Sequence, residues 1–575
     1  MELNQGLHDI NTSTAQNSKF DQDYLWLKSY PETINWAMEL QPKPVYEFLD
    51  ISAQKIPNNT CTFFLGKTSS YKEIQDDVNR AAKGLQKIGV KKGTKVGLLL
   101  PNTPTFIIFY FAILKTGATV VNYNPLYTVE ELSVQAKDSQ TEIMITHDLK
   151  ILFDKAEALL SSDLLSHVVV CPFAQHLPFV KSLLFRIFKG KELATPTRTK
   201  AADKIIHQDT LFDNDGAYEP VSIDLENDVA LLQYTGGTTG TPKGAMLTHS
   251  NLSTNVEQIK AWAPDMRFGQ ERIMGVLPFF HVFAMTAVMN YGVAIGAELI
   301  LIPKFELVEG LTIINNKKPT IMPGVPTLYN AMINYPKLAK YDLSSINFCI
   351  SGGAALPVEV KRAFEEHTGC NLVEGYGLTE TSPVASCNLE DGPTKAASIG
   401  IPIPRTVLSI RSLDDPEKEV PLGEKGEICI SGPQVMKGYW QNEVETKDAF
   451  VGDFFRSGDI GYMDEDGYTY IVDRLKDLII CSGFNVYPRR IEEAIYAHPG
   501  VEEVTVIGIP DDYRGEAPKA FVKLKQGHSL TKEALLEFLV PKISKIEMPS
   551  EIEFRNELPK TMIGKLSKKE LRQEG

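Results

Sequence analysis

Positive charge is in short supply in this chain. Lys and Arg number 59 against 73 Asp and Glu, a formal net charge of -14. That balance argues against a general nucleic-acid binder, which carries a basic surface. Cysteine is also scarce: there are seven, with no CxxC pair and no histidine cluster beside them. Structural zinc and a disulfide framework are therefore not expected, and a reducing, cytoplasmic setting is. The polar N-terminus lacks a basic segment followed by an apolar one, so no signal peptide is expected. Residues 273–297 lack Asp, Glu, Lys and Arg and are long enough to cross a bilayer. Pro278, His281, Asn290 and three glycines break that stretch into short runs, so it reads as buried core. There is no short-period repeat and no low-complexity tract.

What is present is ordinary globular composition, 43% hydrophobic and 23% charged, over 575 residues. That length exceeds one hydrophobic core, so at least two domains are expected. Residues 1–40 read as a tail followed by a docking helix. Buried strands are predicted at 95–101, 118–124, 142–146, 230–234, 299–302, 348–351 and 371–374, with an apolar helix at 105–116. The alternation predicts layered parallel α/β structure over residues 41–474. From about 400 to 474, short strands at 407–411, 426–431 and 468–471 between Gly, Pro and Asp turns predict a β-rich subdomain. Residues 475–575 read as a small separate α+β domain, with helices at 489–497 and 532–540, strands at 504–508 and 520–524, and a basic tail. The fold class expected is α/β, a large N-terminal domain and a small C-terminal one.

One segment points to chemistry by itself. Tyr234-Thr-Gly-Gly-Thr-Thr-Gly-Thr-Pro-Lys-Gly-Ala245 follows a predicted strand. Gly236, Gly237 and Gly240 allow the backbone to approach a ligand closely. Their amides, with the hydroxyls of Thr235, Thr238 and Thr239 and the ammonium of Lys243, suit a phosphate. The segment is not a Walker A loop, because Pro242 stands where that pattern has Gly before Lys.

This segment resembles the phosphate-binding signature of the acyl-adenylate-forming superfamily, and further motifs follow in order. Glu374-Gly-Tyr-Gly-Leu-Thr-Glu380 is similar to the family's YGxTE motif. The resemblance implies that Glu374, Gly375, Tyr376 and Gly377 lie at the nucleotide, with Tyr376 stacked on adenine. It also puts Thr379 on phosphate and Glu380 on Mg2+. Ser351-Gly-Gly-Ala-Ala-Leu-Pro357 resembles the turn against adenine and the acyl pocket, which implies Gly352, Gly353 and Ala354. Phe455-Arg-Ser-Gly-Asp459 resembles the segment whose aspartate holds both ribose hydroxyls, a task suited to a carboxylate. By the same resemblance Arg474 reaches ribose or phosphate and Lys476 is the inter-domain hinge. Lys565, after Ile563-Gly564, resembles the C-terminal lysine that stabilises charge during adenylation. His281 matches the position beside the acyl carboxylate. The expected catalytic set is Lys565, Glu380, Thr235 and His281.

For the substrate, residues 101–104 and 322–331 are similar to segments of bacterial long-chain fatty acyl-CoA synthetases. The pocket candidates His281, Phe283, Met285 and Val325 are mostly apolar, as is Phe279, and an apolar tunnel favours an alkyl chain. Where some relatives carry a gating tryptophan, this chain reads Val282-Phe-Ala-Met285. The implied activity is a long-chain fatty acid–CoA ligase using ATP, Mg2+ and CoA, with a mobile C-terminal lid. A carrier protein as acceptor, a compact aryl or short acid as substrate, and a catalytically dead lipid-binding protein stand as alternatives. Residues 176–191 (HLPFVKSLLFRIFKGK) form a basic amphipathic segment. It reads either as a peripheral contact with the inner face of the membrane or as a packed surface helix. A homodimer is expected by analogy alone.

Overall fold

The computed structural model describes residues 23–199, 201–235, 242–389, 395–511, 513–561 and 564–574. Two large sheets carry most of the chain. In the first, Lys95–Leu99 lies between Thr119–Asn122 and Ile143–His147, all parallel, and His167–Cys171 and Ile205–His207 extend the row. Val229–Thr235 pairs parallel with Thr119–Asn122 and antiparallel with Lys243–Thr248 at the sheet edge. In the second, Glu298–Leu301, Arg272–Gly275, Ile321–Gly324, Phe348–Ser351 and Asn371–Gly377 run parallel side by side.

The helix Pro104–Lys115 explains how the two sheets share one core. All twelve of its residues are buried. A helix apolar all round has no solvent face and must be enclosed. Its residues belong to the same apolar cluster as Val96, Leu98, Ile273 and Leu299, drawn from both sheets. At its end Lys115, almost without exposure, donates to Asp50 at 2.7 Å and to Asn79 at 2.9 Å, which satisfies the buried charge. The charge-free stretch 273–297 is likewise core, carrying a π-helical turn at Met285–Asn290. Among the described residues no helix is long and apolar enough to cross a membrane.

A third sheet contains Val407–Arg411, Gly426–Ser431, Phe450–Val451, Phe454–Met463 and Thr469–Arg474. The N-terminal segment packs near it through Trp26 and Trp36, which bury with Val407, Ile428 and Tyr468. The docking element there is a short 3-10 helix, Leu25–Ser29. Trp26 packs directly on Gly467, where φ is +82° and a Cβ would lie 2.4 Å from the Trp26 Cα. The fourth sheet holds only strands after residue 478: Ile479–Cys481, Phe484–Val486, Val501–Asp511, Gly515–Leu524 and Glu551–Phe554. Pro488–Tyr496 and Lys532–Leu539 cover it, with Ile491, Ile495, Leu535 and Leu539 closing a separate core.

Candidate active site

Parallel strands end together, and the residues beyond their carboxyl ends form a common rim where ligands bind in open α/β sheets. In the second sheet Gly324, Ser351 and Glu374 are aligned neighbours. Val325, Gly352 and Gly375 therefore follow them side by side, and His281 lies shortly beyond Arg272–Gly275. Close packing on this rim requires glycine. A Cβ on Gly352 would meet the Phe283 ring at 3.0 Å. A Cβ on Gly353, where φ is +81°, would lie 2.4 Å from Cε and 2.8 Å from Nζ of Lys565.

Lys565 reaches this rim from the far end of the chain. Gly564 just before it has φ +82°, and its carbonyl accepts from Thr327 Oγ1 at 2.5 Å. The Lys565 amide donates to Thr561 Oγ1 at 3.2 Å and its carbonyl accepts from the Thr561 amide at 2.6 Å, a tight turn that presents the side chain. Burial, and then the nearby Arg474 guanidinium, lower its pKa to about 8, against the pull of Asp459. Burial and the Lys565 charge lower His281 to about 3. His281 Nδ1 accepts from the Phe283 amide at 3.3 Å, so the neutral ring carries its proton on Nε2. It is a neutral donor, not a cation. Val325 is buried beside Gly564. Met285 is fully buried, with its sulfur 3.5 Å from Asn122 Nδ2.

A second group joins the rim to the third sheet. Asp459, only 3% exposed, accepts from the Tyr376 hydroxyl at 2.7 Å on one oxygen and from Arg474 Nε at 2.8 Å on the other. Asp459 and Arg474 are aligned partners on adjacent strands, which sets their geometry. Glu380, on the 3-10 turn Thr379–Thr381, accepts from the Tyr439 hydroxyl at 2.8 Å. Burial raises its pKa, and Tyr439, Arg474 and Lys243 pull it back. Glu374 turns away from this group. Its carboxylate accepts from the Leu356 amide at 3.2 Å and is raised to about 7 by burial. It thus ties down the turn that contains Gly352, Gly353 and Ala354.

The glycine-rich segment joins two paired strands, with Thr235 opposite Lys243. Gly236, Gly237, Thr238, Thr239 and Gly240 lie outside the described residues. Lys243 is ion-paired with Glu445 and sits over the Tyr439 ring, 5.4 Å from its centroid. Tyr439 thus touches both Glu380 and Lys243, and sequence reasoning missed it. So were Thr327 and Asn102 missed. Asn102 holds the backbone before His281, donating to Gly275 O and Leu277 O at 3.1 and 2.8 Å and accepting from Phe279 N at 2.7 Å. Asn102 and Thr327 lie in the segments 101–104 and 322–331, whose resemblance bears on the substrate and gives neither residue a role; for Tyr439 the local signal is Gly438 before the aromatic pair Tyr439-Trp440.

Lys476 lies in the turn Leu475–Asp477 between the third and fourth sheets. Just before it, Asp473 accepts from the amides of Arg474 and Arg489, both at 2.8 Å, so one carboxylate ties the third sheet to the helix Pro488–Tyr496 that covers the fourth. Asn330 Nδ2 donates to Glu502 O at 2.9 Å, a further contact across the same boundary.

The AMP-binding enzyme family model matches residues 49–440, and that of the AMP-binding enzyme C-terminal domain matches residues 490–565. A long-chain-fatty-acid–CoA ligase of Bacillus subtilis is 43% identical over 549 residues, covering 96% of this chain and 98% of that protein. One from Escherichia coli O6:H1 is 36% identical with the same coverage. The anthranilate CoA ligase AuaEII, solved with anthranoyl-AMP, superimposes with a TM-score of 0.81 at 26% identity, over 93% of this chain and 98% of its own. ATP-bound MatB from Rhodopseudomonas palustris gives 0.80 at 27% identity, over 93% and 99%. The motifs in order, the rim that gathers them and the full-length relatives together place this chain in the AMP-binding enzyme family.

Proposed function

We propose that this protein is a long-chain fatty acid–CoA ligase. In the first step a carboxylate oxygen attacks the α-phosphorus of ATP, and the bond to pyrophosphate breaks. In the second the CoA thiolate attacks the acyl carbonyl, forming a C–S bond and releasing AMP. The observation that carries the reading is the position of Lys565. A cation from the C-terminal residues rests on Gly353, near His281, Asp459 and Arg474. There it meets charge as it develops on the transferring phosphoryl group. Tyr376 and Arg474 orient Asp459 for the ribose hydroxyls. Thr235, Thr379, Lys243 and the 236–240 segment take the phosphates, and Lys243 exchanges Glu445 for them. His281 and Phe283 wall the acyl carboxylate. The 43% identical relative supports the long-chain acid and CoA as substrates.

Mg2+ fits this donor set in one way. Among the described residues no cluster of three or more His, Cys, Asp or Glu could cage a metal. Mg2+ commonly takes one or two carboxylates and fills its shell with phosphate oxygens and water. Glu380 is the carboxylate that would hold it. When bound, the ion neutralises phosphate charge.

Two reactions at one rim need Lys565 in one step and a thiol path in the other. Residues 41–474 form the body in this reading, 400–474 its β-rich part, and 475–575 a lid that turns about Lys476. A homodimer belongs to the reading by analogy, and sedimentation checks it. So does a peripheral site at the inner face of the membrane, through residues 176–191.

The test is acid-dependent pyrophosphate release with Mg·ATP over carboxylates from short to long, with and without CoA. Turnover that rises with chain length and needs CoA is expected. Pyrophosphate without acyl-CoA moves the acceptor to a carrier protein; none with any acid overturns the reading.

A further inference from the structure

The helix Phe179–Phe188 is mounted with its apolar side outward. At about 100° per residue, Phe179, Leu183, Ile187, Val180, Leu184 and Phe188 sweep roughly half its circumference. None of the helix is buried, and the exposures of Phe179 and Phe188 reach 84% and 77%. The opposite, narrow side makes the attachment. Phe185 packs on Phe173 with centroids 5.4 Å apart, and Lys181 Nζ donates to Leu65 O at 2.9 Å. An ordinary surface helix buries its apolar stripe. This one presents it, which favours the peripheral contact over the packed surface helix. A large apolar patch with a polar rim marks an interaction site.

The rim says what covers it. Arg186, Lys189 and Lys191 flank the apolar residues, Lys150 Nζ reaches Lys191 O at 2.6 Å, and Lys67 Nζ reaches Gln175 O at 2.7 Å. The acids nearby are Glu192, paired with Lys189 at 2.5 Å, and Asp148, which lies near Arg186. A basic rim on a chain of net charge -14 is complementary to anionic lipid. It disfavours a second copy, since a two-fold contact would set these cations against themselves.

We infer that the helix Phe179–Phe188 lies flat in the headgroup region of an anionic bilayer, with its six apolar side chains in the acyl boundary. At the base of the helix His176 Nε2 is 2.6 Å from Thr105 Oγ1. Thr105 opens the buried helix Pro104–Lys115, and Asn102 just before that helix holds the backbone leading to His281. Docking therefore sets the membrane against the segment that frames the acyl site. This last point rests on the ligase reading; the docking itself does not.

The experiment floats the full-length protein with vesicles of phosphatidylcholine alone or mixed with phosphatidylglycerol. Expected are binding to the anionic vesicles only, weakening with salt, and a loss of roughly tenfold or more in L183E/I187E and in R186E/K189E/K191E. Both variants should keep wild-type turnover of acids presented without lipid. Failure of the wild type to bind, or variants that bind as wild type, overturns the proposal. So does a concentration-dependent dimer that L183E/I187E dissociates, because the patch would then join two copies. Vesicle binding by a protein that releases no pyrophosphate would leave the docking intact and sink only the ligase.

Discussion

At the scale of single residues, the behaviour of Lys565 follows from where its ammonium is held. Burial and Arg474 lower its pKa to about 8, so the cation is present below that pH and lost above it. If Lys565 stabilises phosphoryl charge, kcat/KM for adenylation should fall as pH rises through about 8. That quantity reports the free enzyme, before phosphate raises the lysine again. K565R, which stays charged, should abolish the alkaline limb, and a limb unchanged in K565R would assign it to another group. K565A should lose most pyrophosphate release and still convert supplied acyl-AMP to thioester; equal loss of both steps would remove Lys565 from the chemistry. Tyr376 belongs to the same scale. Y376F deletes one of the two donors on a buried carboxylate, and a hydrogen bond to a charged group is worth about 1.5–3 kcal/mol. A raised KM for ATP and a lowered melting temperature are the expected readings.

The rim is a property of elements. Four consecutive parallel strands bring His281, Val325, Gly352 and Gly375 to one edge, although these residues are scattered along the chain. The glycine-bearing segments around Val325, Gly352 and Gly375 stood out as local patterns in the sequence. The partners of those segments did not. Tyr439 and Asn102 act through one hydroxyl and one amide whose partners come from distant parts of the chain, and no local pattern tells which contacts they make. Gly353 offers a test at this scale. G353A sets a Cβ 2.4 Å from Lys565 Cε at a positive φ. The lysine must withdraw, and the backbone strain costs about 1 kcal/mol. Adenylation should drop about tenfold or more while thioester formation from acyl-AMP persists. A uniform loss would mean that the turn itself had collapsed.

For the whole molecule, the decisive feature is that the fourth sheet meets the others through few bonds. Among the described residues, Thr327 to Gly564, Asn330 to Glu502 and Asp473 to Arg489 join the residues after Lys476 to those before it. T327V/N330A removes two of them. At about 1 kcal/mol each, the equilibrium should shift about fivefold to thirtyfold away from the arrangement that seats Lys565. Labels at R362C and Y513C would read the change as a distance distribution, since both positions are exposed and all seven native cysteines are buried. An unaltered distribution would show that other contacts hold the C-terminal domain in place. The sequence by itself determined the family, the layered α/β order and the separate C-terminal core, because hydrophobic periodicity and glycine turns are local properties. Only the tertiary structure decided that Lys565 rests on Gly353, that Glu374 braces a turn and that the helix Phe179–Phe188 faces its apolar side outward. Each of those depends on which surface a neighbour covers, and that neighbour is brought in by the fold rather than by the adjoining sequence.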